Sequence, residues 1–217
     1  MTLHREIVRH AAIGVGVGTT PKALSSISKP GCAAAIWERQ PLESFQAWID
    51  ALKPEDLPRA RIILKPEMVH KAMTDLVEAA GMPACAARVM LVDDVAAMAD
   101  LFTGVLDSPY LRLRLDVIST DACRKFHIDA IRARLICTYR GSGTQYGIST
   151  DGHAPRSVFA VPTGSSMIMR GTLWPETPKS GLLHRSPPIE GTGETRLVLV
   201  LDPVDELEAE EELRHIQ

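Results

Sequence analysis

The chain has 217 residues, of which 45% are hydrophobic and 24% charged, a balance that suits one globular domain and excludes a disordered, collagen-like or coiled-coil chain. Lys+Arg 24 against Asp+Glu 27 leaves a formal charge of -3, so no global field draws the chain to nucleic acid or to an anionic membrane. No window approaches the roughly 18–20 uninterrupted apolar residues that cross a bilayer, and the longest helical run is broken by Arg88, Asp93, Asp94 and Asp100.

Residues 11–18, behind Arg5 and Arg9, are too rich in glycine for a signal peptide and carry no small-x-small cleavage site. The run Gly14-Val15-Gly16-Val17-Gly18 reads as a flexible lead-in, with no GxGxxG pattern. A short apolar run over 33–37 is entered through Pro30-Gly31, and Pro41 opens a helix whose Leu42, Phe45, Ile49 and Leu52 recur at helical spacing before Pro54 stops it. A strand over 61–64 comes next. Pro66 then introduces a helix over 67–80, with Met68, Ala72, Met73, Leu76 and Val77 on one side and Gly81 at its end. The stretch 84–106 has high helix propensity and ends at Asp107-Ser108-Pro109.

From there the period changes to two: Leu111, Leu113, Leu115 and Val117 alternate with Arg112, Arg114 and Asp116, as in a half-buried strand. Further strands are expected over 131–139, 157–161, 167–174, 182–183 and 196–201, separated by turn clusters. Gly141-Ser142-Gly143 reads as a hairpin turn, and the acidic stretch from Asp202 onward as a surface helix. The fold class is therefore α+β, a sandwich or small barrel with helices on its outside. The expected organisation is a single domain over 1–217: a mixed helical part over 1–108, a β core over 109–203 and a C-terminal helix over 204–217. The cysteines, Cys32, Cys85, Cys123 and Cys137, show no CxxC spacing, which suits the reduced thiols of a cytoplasmic protein.

Three features of the β half bear on chemistry. In Phe126-His127-Ile128-Asp129 the imidazole and the carboxylate point to one face if the segment is extended. His184 ends the run Gly181-Leu182-Leu183, and Arg196 opens the last strand. Two histidines and one carboxylate form the facial set that holds a non-haem Fe(II) with open positions, and an arginine beside it can fork two hydrogen bonds onto a carboxylate. Plainer readings stay open: His127 and Asp129 as a metal-free edge-strand pair, and Arg196 as an ion-pair partner of the acidic C-terminal residues.

The order HxD, distal His, Arg resembles the Fe(II)/2-oxoglutarate-dependent oxygenase superfamily over roughly residues 111–202. His184-Arg185-Ser186-Pro187-Pro188 followed by Gly193-Glu194-Thr195-Arg196-Leu197 is similar to the HxVxP…GxR tail of its prolyl-hydroxylase-like branch. The resemblance implies a double-stranded β-helix of the jelly-roll or cupin type. It puts Fe(II) on His127, Asp129 and His184, and the far carboxylate of 2-oxoglutarate on Arg196. A second resemblance spans nearly the whole chain. It rests on Ala35-Ile36-Trp37-Glu38-Arg39, Cys123-Arg124-Lys125-Phe126-His127-Ile128-Asp129, the run from Arg134 to Gln145, and Leu183-His184-Arg185-Ser186-Pro187-Pro188. These resemble the uncharacterised bacterial family catalogued as domain of unknown function 1826, which implies no activity; its association with zinc-responsive gene neighbourhoods makes zinc the alternative metal.

Around that set, Tyr139 shares a strand face with Ile131, Ala133, Leu135 and Cys137. If that face lines the mouth of the barrel, Tyr139 is a candidate hydrogen-bond donor to the co-substrate. Arg170 and Arg185 are candidate substrate contacts, and Cys123 is a candidate fourth ligand that would close a zinc site. The leading expectation is an oxygenase hydroxylating a small molecule or a protein side chain, with no membrane or nucleic-acid partner indicated and an oligomer left open. The rivals are a hydrolytic or isomerising zinc enzyme on the same fold, a metal-sensing module, and a metal-free interaction protein.

Overall fold

A computed structural model of the chain describes residues 10–207 and 209. In chain order the strands and helices are β1 (Gly14–Gly18), β2 (Cys32–Trp37), α1 (Glu43–Ala51), β3 (Ala60–Leu64), α2 (Val69–Ala79), α3 (Ala86–Leu106), β4 (Tyr110–Ile118), β5 (Ala133–Arg140), β6 (Gln145–Ile148), β7 (Phe159–Ala160), β8 (Ser166–Arg170), β9 (Leu182–Arg185) and β10 (Arg196–Val204). Seven strands form one sheet in the order β1-β2-β8-β5-β10-β4-β3, and a smaller sheet runs β7-β6-β9. No helix among the described residues is long and apolar enough to cross a membrane.

Strict alternation along the central strands gives the large sheet two different faces. Leu111, Leu113 and Leu115 of β4, Ala133, Leu135, Cys137 and Tyr139 of β5, and Leu197, Leu199 and Leu201 of β10 all join one buried apolar cluster. Helices α1, α2 and α3 cover that face: Phe45 and Ile49, Val69, Met73 and Val77, and Leu91, Val95, Met98 and Phe102 recur every three or four residues and enter the same cluster. Helix α3 ends at Asp107, whose φ of 50° is left-handed and reverses the chain before Pro109. The opposite face, carrying Ile136, Val198 and Val200, packs with Tyr146, Ile148 and Leu182 of the smaller sheet in a second, smaller cluster. That face also carries Arg134 of β5, Arg114 and Asp116 of β4, and Arg196 of β10, which line a cavity between the two sheets.

Several expectations are corrected here. Residues 14–18 are not a lead-in: they form β1, an edge strand paired in parallel with β2. The glycines were read as flexibility, but Gly16 lies so close to Ser26 that any Cβ would collide with its side chain. The expected strand over 61–64 is β3, the apolar run over 33–37 lies in β2, and with β1 they join the large sheet. Gly141-Ser142-Gly143 does not close a hairpin, because β5 lies in the large sheet and β6 in the small one; the turn carries the chain across the sandwich. Strand β8 stops at Arg170 rather than continuing to 174. Gly171, whose Cβ would fall 2.0 Å from the Ile131 carbonyl oxygen, belongs to a turn packed tightly on the entry to β5. Beyond residue 209 the expected C-terminal helix lies outside the described residues.

Candidate metal centre

Backbone pairing brings the two histidines together. His127 and His184 sit directly opposite in an antiparallel bridge, each N–H donating to the other's carbonyl at 3.0 Å. Opposed residues of an antiparallel pair point to the same face, and the imidazole centroids are 4.5 Å apart. Two residues on from His127, Asp129 returns to that face. His127 Nε2 is 3.5 Å from Asp129 Oδ1, and His184 Nε2 is 3.1 Å from Asp129 Oδ2. One ligand atom from each of the three residues lies within 4.8 Å of the others, and all three side chains are buried.

These separations suit a metal. Bonds of about 2.1 Å at right angles put neighbouring donor atoms about 3 Å apart. The imidazole of His127 is set in the required tautomer, because Nδ1 lies 2.8 Å from the Lys125 carbonyl, which can only accept. Nδ1 therefore carries a proton, so the neutral imidazole turns its Nε2 lone pair to the cluster, and only the imidazolium donates from Nε2 to Asp129. The electrostatics of the set run the same way. Burial alone would raise the Asp129 carboxyl, but hydrogen bonds from His127 and His184 and the charge of Arg134 hold it far below the usual carboxylate range. The hydrogen bond to Asp129 pushes His127 up, whereas burial pushes His184 down.

The cluster opens into the cavity of about 250 Å³ between the sheets, whose wall includes Arg114, Arg134, Arg185 and Arg196. Arg196 is 1% exposed. Its Nε donates to the Ser142 carbonyl at 2.6 Å and one Nη lies 3.4 Å from Thr138 Oγ1. Both acceptors are neutral, and burial pushes the guanidinium down to about 10. Among the described residues no salt bridge joins Arg196 to an acidic C-terminal residue, the plainer of its two readings. The Glu194 carboxylate favours the charged form but makes no hydrogen bond to it among the described residues, so a buried cation whose hydrogen-bond acceptors are neutral, on the wall of a cavity, is suited to receive an anion. Gly141 makes this placement feasible: its φ is +77°, and a Cβ there would lie 2.9 Å from Arg196 Cγ.

The other expected residues divide. Arg185 lines the cavity, stacked 4.5 Å over the Phe126 ring with Nε donating to Gln145 at 2.7 Å. Cys123 lines it too but is exposed and is not part of the three-residue cluster. Tyr139 is elsewhere: it points to the helix-covered face, and its hydroxyl donates to Asp94 Oδ2 of α3 at 2.6 Å. The strand face was read correctly, but it is the other face of β5 that meets the cavity. Arg170 is likewise misplaced for substrate contact. It is 1% exposed, donates to the carbonyls of Ile27 and Lys29, and stacks 4.5 Å over Trp174, away from the cavity.

Two residues that the sequence did not single out belong to the site. Arg134 Nη1 donates to Asp129 Oδ2 at 2.5 Å, and Asp202 accepts from the same guanidinium. Asp202 was counted with the acidic tail, yet it is an inward residue of β10 and 4% exposed. The signal that could have found it is the alternation Arg196, Val198, Val200, Asp202 along one strand face.

Comparison with known proteins bears on fold and family. A family profile described as "Protein of unknown function (DUF1826)" matches residues 18–202. No curated protein matches the chain. Among solved structures, the dioxygenase for auxin oxidation from rice superposes with a TM-score of 0.51 at 11% identity, covering 89% of this chain and 84% of that one. Dioxygenase for auxin oxidation 1 from Arabidopsis thaliana, solved as a binary complex with 2-oxoglutarate, gives a TM-score of 0.51 at 10% identity, over 89% of this chain and 92% of that one. At such identities the likeness shows the fold, an α+β arrangement around a jelly-roll, double-stranded β-helix core.

Proposed function

The chain belongs to the DUF1826 family, and because that description carries no activity we propose a function from the site itself: an Fe(II)/2-oxoglutarate-dependent oxygenase. His127, Asp129 and His184 would hold the metal, and Arg196 the distal carboxylate of 2-oxoglutarate. The observation that carries this reading is the pairing, in one cavity, of a buried His–Asp–His set with a buried arginine that has only neutral hydrogen-bond partners. The solved structures of the same fold include dioxygenases, one of them in complex with 2-oxoglutarate.

Fe(II) with 2-oxoglutarate supplies oxidation of a C–H bond by dioxygen, coupled to decarboxylation of the co-substrate to succinate. The protein's part is binding, orientation and exclusion of water. His127 is locked by its Nδ1–H to the Lys125 carbonyl. The reciprocal backbone bridge fixes His184 opposite it. Ile118, Ile136, Val198 and Val200 give the cavity an apolar lining beside its charged groups, which lowers the local dielectric and strengthens Arg196's hold on a carboxylate. The substrate would be a small molecule or the tip of a protein side chain entering the same cavity, with Arg185 on its wall as a cationic contact. Fe(II) is preferred to a closed zinc site because Cys123, a thiol that lines the cavity, is exposed and outside the cluster. A cytoplasmic setting is part of the same reading, supported by four cysteines that are all free thiols.

The test is anaerobic reconstitution with Fe(II), followed by assay of succinate from 2-oxoglutarate with and without oxygen. Oxygen-dependent succinate that vanishes in the His127→Ala/His184→Ala double variant, and that needs at least about tenfold more 2-oxoglutarate in Arg196→Leu, is the expected result. Stoichiometric zinc held without any response to 2-oxoglutarate would refute it.

A further inference from the structure

Asp129 is held by an arginine that is itself held. Arg134 Nη1 donates to its Oδ2 at 2.5 Å, while Nε and Nη2 of the same guanidinium donate to the two oxygens of Asp202 at 2.6 and 2.8 Å. The grip is written into sheet register. Leu201 of β10 pairs with Leu135 of β5, which places Asp202 and Arg134 opposite one another on the cavity face. Asp202 is itself flanked by Arg114, whose Nη2 lies 3.6 Å away. The result is a chain of alternating charge, Asp129, Arg134, Asp202 and Arg114, with the carboxylates buried and the arginines partly so, in which Arg134 cannot swing away from Asp129 without giving up a two-pronged ion pair.

We propose that Arg134, clamped by Asp202, is a positioning residue that makes Asp129 a one-oxygen ligand. Its Nη1 engages Oδ2, the oxygen that also lies 3.1 Å from His184 Nε2, and leaves Oδ1, 3.5 Å from His127 Nε2, as the oxygen with no cation on it and the one offered to a metal. This rests on the metal-site reading above and deepens it. A carboxylate free to turn would chelate with both oxygens and take a second coordination position. For a site that must also admit a two-oxygen co-substrate and dioxygen, that extra oxygen would fill the last vacancy. Groups behind a ligating carboxylate are a recognised lever on such geometry; here the lever is a permanent cation rather than a titrating group.

The experiment uses Mn(II) as the probe on the full chain without 2-oxoglutarate. Free Mn(II) is followed by its paramagnetic resonance signal, and the number of exchanging waters on the bound ion by water-proton relaxation. Wild type, Arg134→Leu, Arg134→Lys, Asp202→Asn and His127→Ala are compared, with thermal melting of each metal-free protein as the folding control. The expected result is binding that depends on His127, the loss of one bound water in Arg134→Leu and in Asp202→Asn, and recovery of that water in Arg134→Lys. A role limited to packing would move the melting curve and leave the water count alone. If His127-dependent binding persists and the count is unchanged in both Arg134→Leu and Asp202→Asn, the proposal is overturned while the metal site stands. Tighter binding in Arg134→Leu at an unchanged count also overturns it, making Arg134 a mere competitor for Asp129. If wild-type binding does not depend on His127, the metal-site reading fails and the proposal with it. Should Arg134→Leu not fold, Asp202→Asn and Arg134→Lys decide, since both keep a cation at position 134.

Discussion

The two faces of the large sheet are made by the same strands and do opposite things. Along β4 the inward series toward the helices is Leu111, Leu113 and Leu115, while the intervening Arg112, Arg114 and Asp116 turn away from that core. Along β10 it is Leu197, Leu199 and Leu201 against Arg196, Val198, Val200 and Asp202. The helix-covered face gains its stability from area removed from water, at about 25 cal/mol per Å². The cavity face instead buries arginines, carboxylates and two imidazoles, groups that cost free energy to desolvate and are tolerated only in pairs or for a ligand. Stability and chemistry are thus separated by a single residue of register, and a slip of one position would exchange them.

The sharpest way to break this division is to strike each face and ask whether the other notices. His127→Ala/His184→Ala should cost on the order of 100-fold or more in metal affinity. Because Asp129 keeps Arg134 as a partner, the melting temperature of the metal-free variant should stay close to wild type. Calorimetric metal titration beside a melting curve reads both. The converse is Leu113→Ala, at a fully buried position of the helix-covered face, with an expected loss of about 2–5 kcal/mol in stability by chemical denaturation. Metal affinity of the protein that remains folded should be unchanged. A Leu113→Ala protein with normal stability but weakened metal binding would mean the faces are not independent.

Tyr139→Phe sharpens the comparison because the residue sits on a site-bearing strand but points the wrong way for the site. Its hydroxyl donates to Asp94, which also holds a two-pronged ion pair from Arg39 beneath Gly164. Removing a hydrogen bond to a charged group costs about 1.5–3 kcal/mol, and the low end applies because Asp94 is only half-buried. The expected outcome is that loss in stability with no change in 2-oxoglutarate affinity. A weaker hold on 2-oxoglutarate at full stability would instead restore Tyr139 to the site.

What the sequence revealed and what it concealed follow from range. Alternation and helical spacing are local, so the strands of the β half other than the short β6, the helices over 43–51, 69–79 and 86–106, and the grouping of Tyr139 with Leu135 and Cys137 could be read. Which face of β5 meets the cavity depends on which side the helices cover, a non-local fact, and that is where Tyr139 and Arg170 were misassigned. His127, Asp129 and His184 were legible only because their spacing matched a known chemistry; the backbone bridge that unites the histidines joins positions far apart in sequence. Arg134 escaped notice for the same reason, since its partner Asp202 lies far off in sequence, whereas Asp202 had a local signal in the alternation from Arg196 that the adjoining acidic stretch masked. The glycines of β1 misled because a close approach and a flexible segment use the same residue.

The smallest expected effect tests the division thiol by thiol. Cys137 lies on the helix-covered face, fully buried, where burial pushes the thiol up to about 11. At pH 8 it is therefore almost entirely protonated and has no path to solvent, so a thiol reagent should leave it untouched in the native protein. Raising the pH toward 11 increases its thiolate fraction, yet access still limits the rate until the fold opens. Cys32 is buried as well, whereas Cys85 and Cys123 are exposed. Two thiols should thus react quickly and two slowly, counted by absorbance against an unfolded control. Only one of the fast pair borders the cavity: Cys123 lines it, and Cys85 stands at the start of α3. Metal with 2-oxoglutarate should therefore slow Cys123 a few-fold and leave Cys85 alone, resolved by mass spectrometry of labelled peptides. If metal alone blocks Cys123 completely, and alkylating that thiol expels the metal, then Cys123 is a fourth ligand and the closed zinc site replaces the open one.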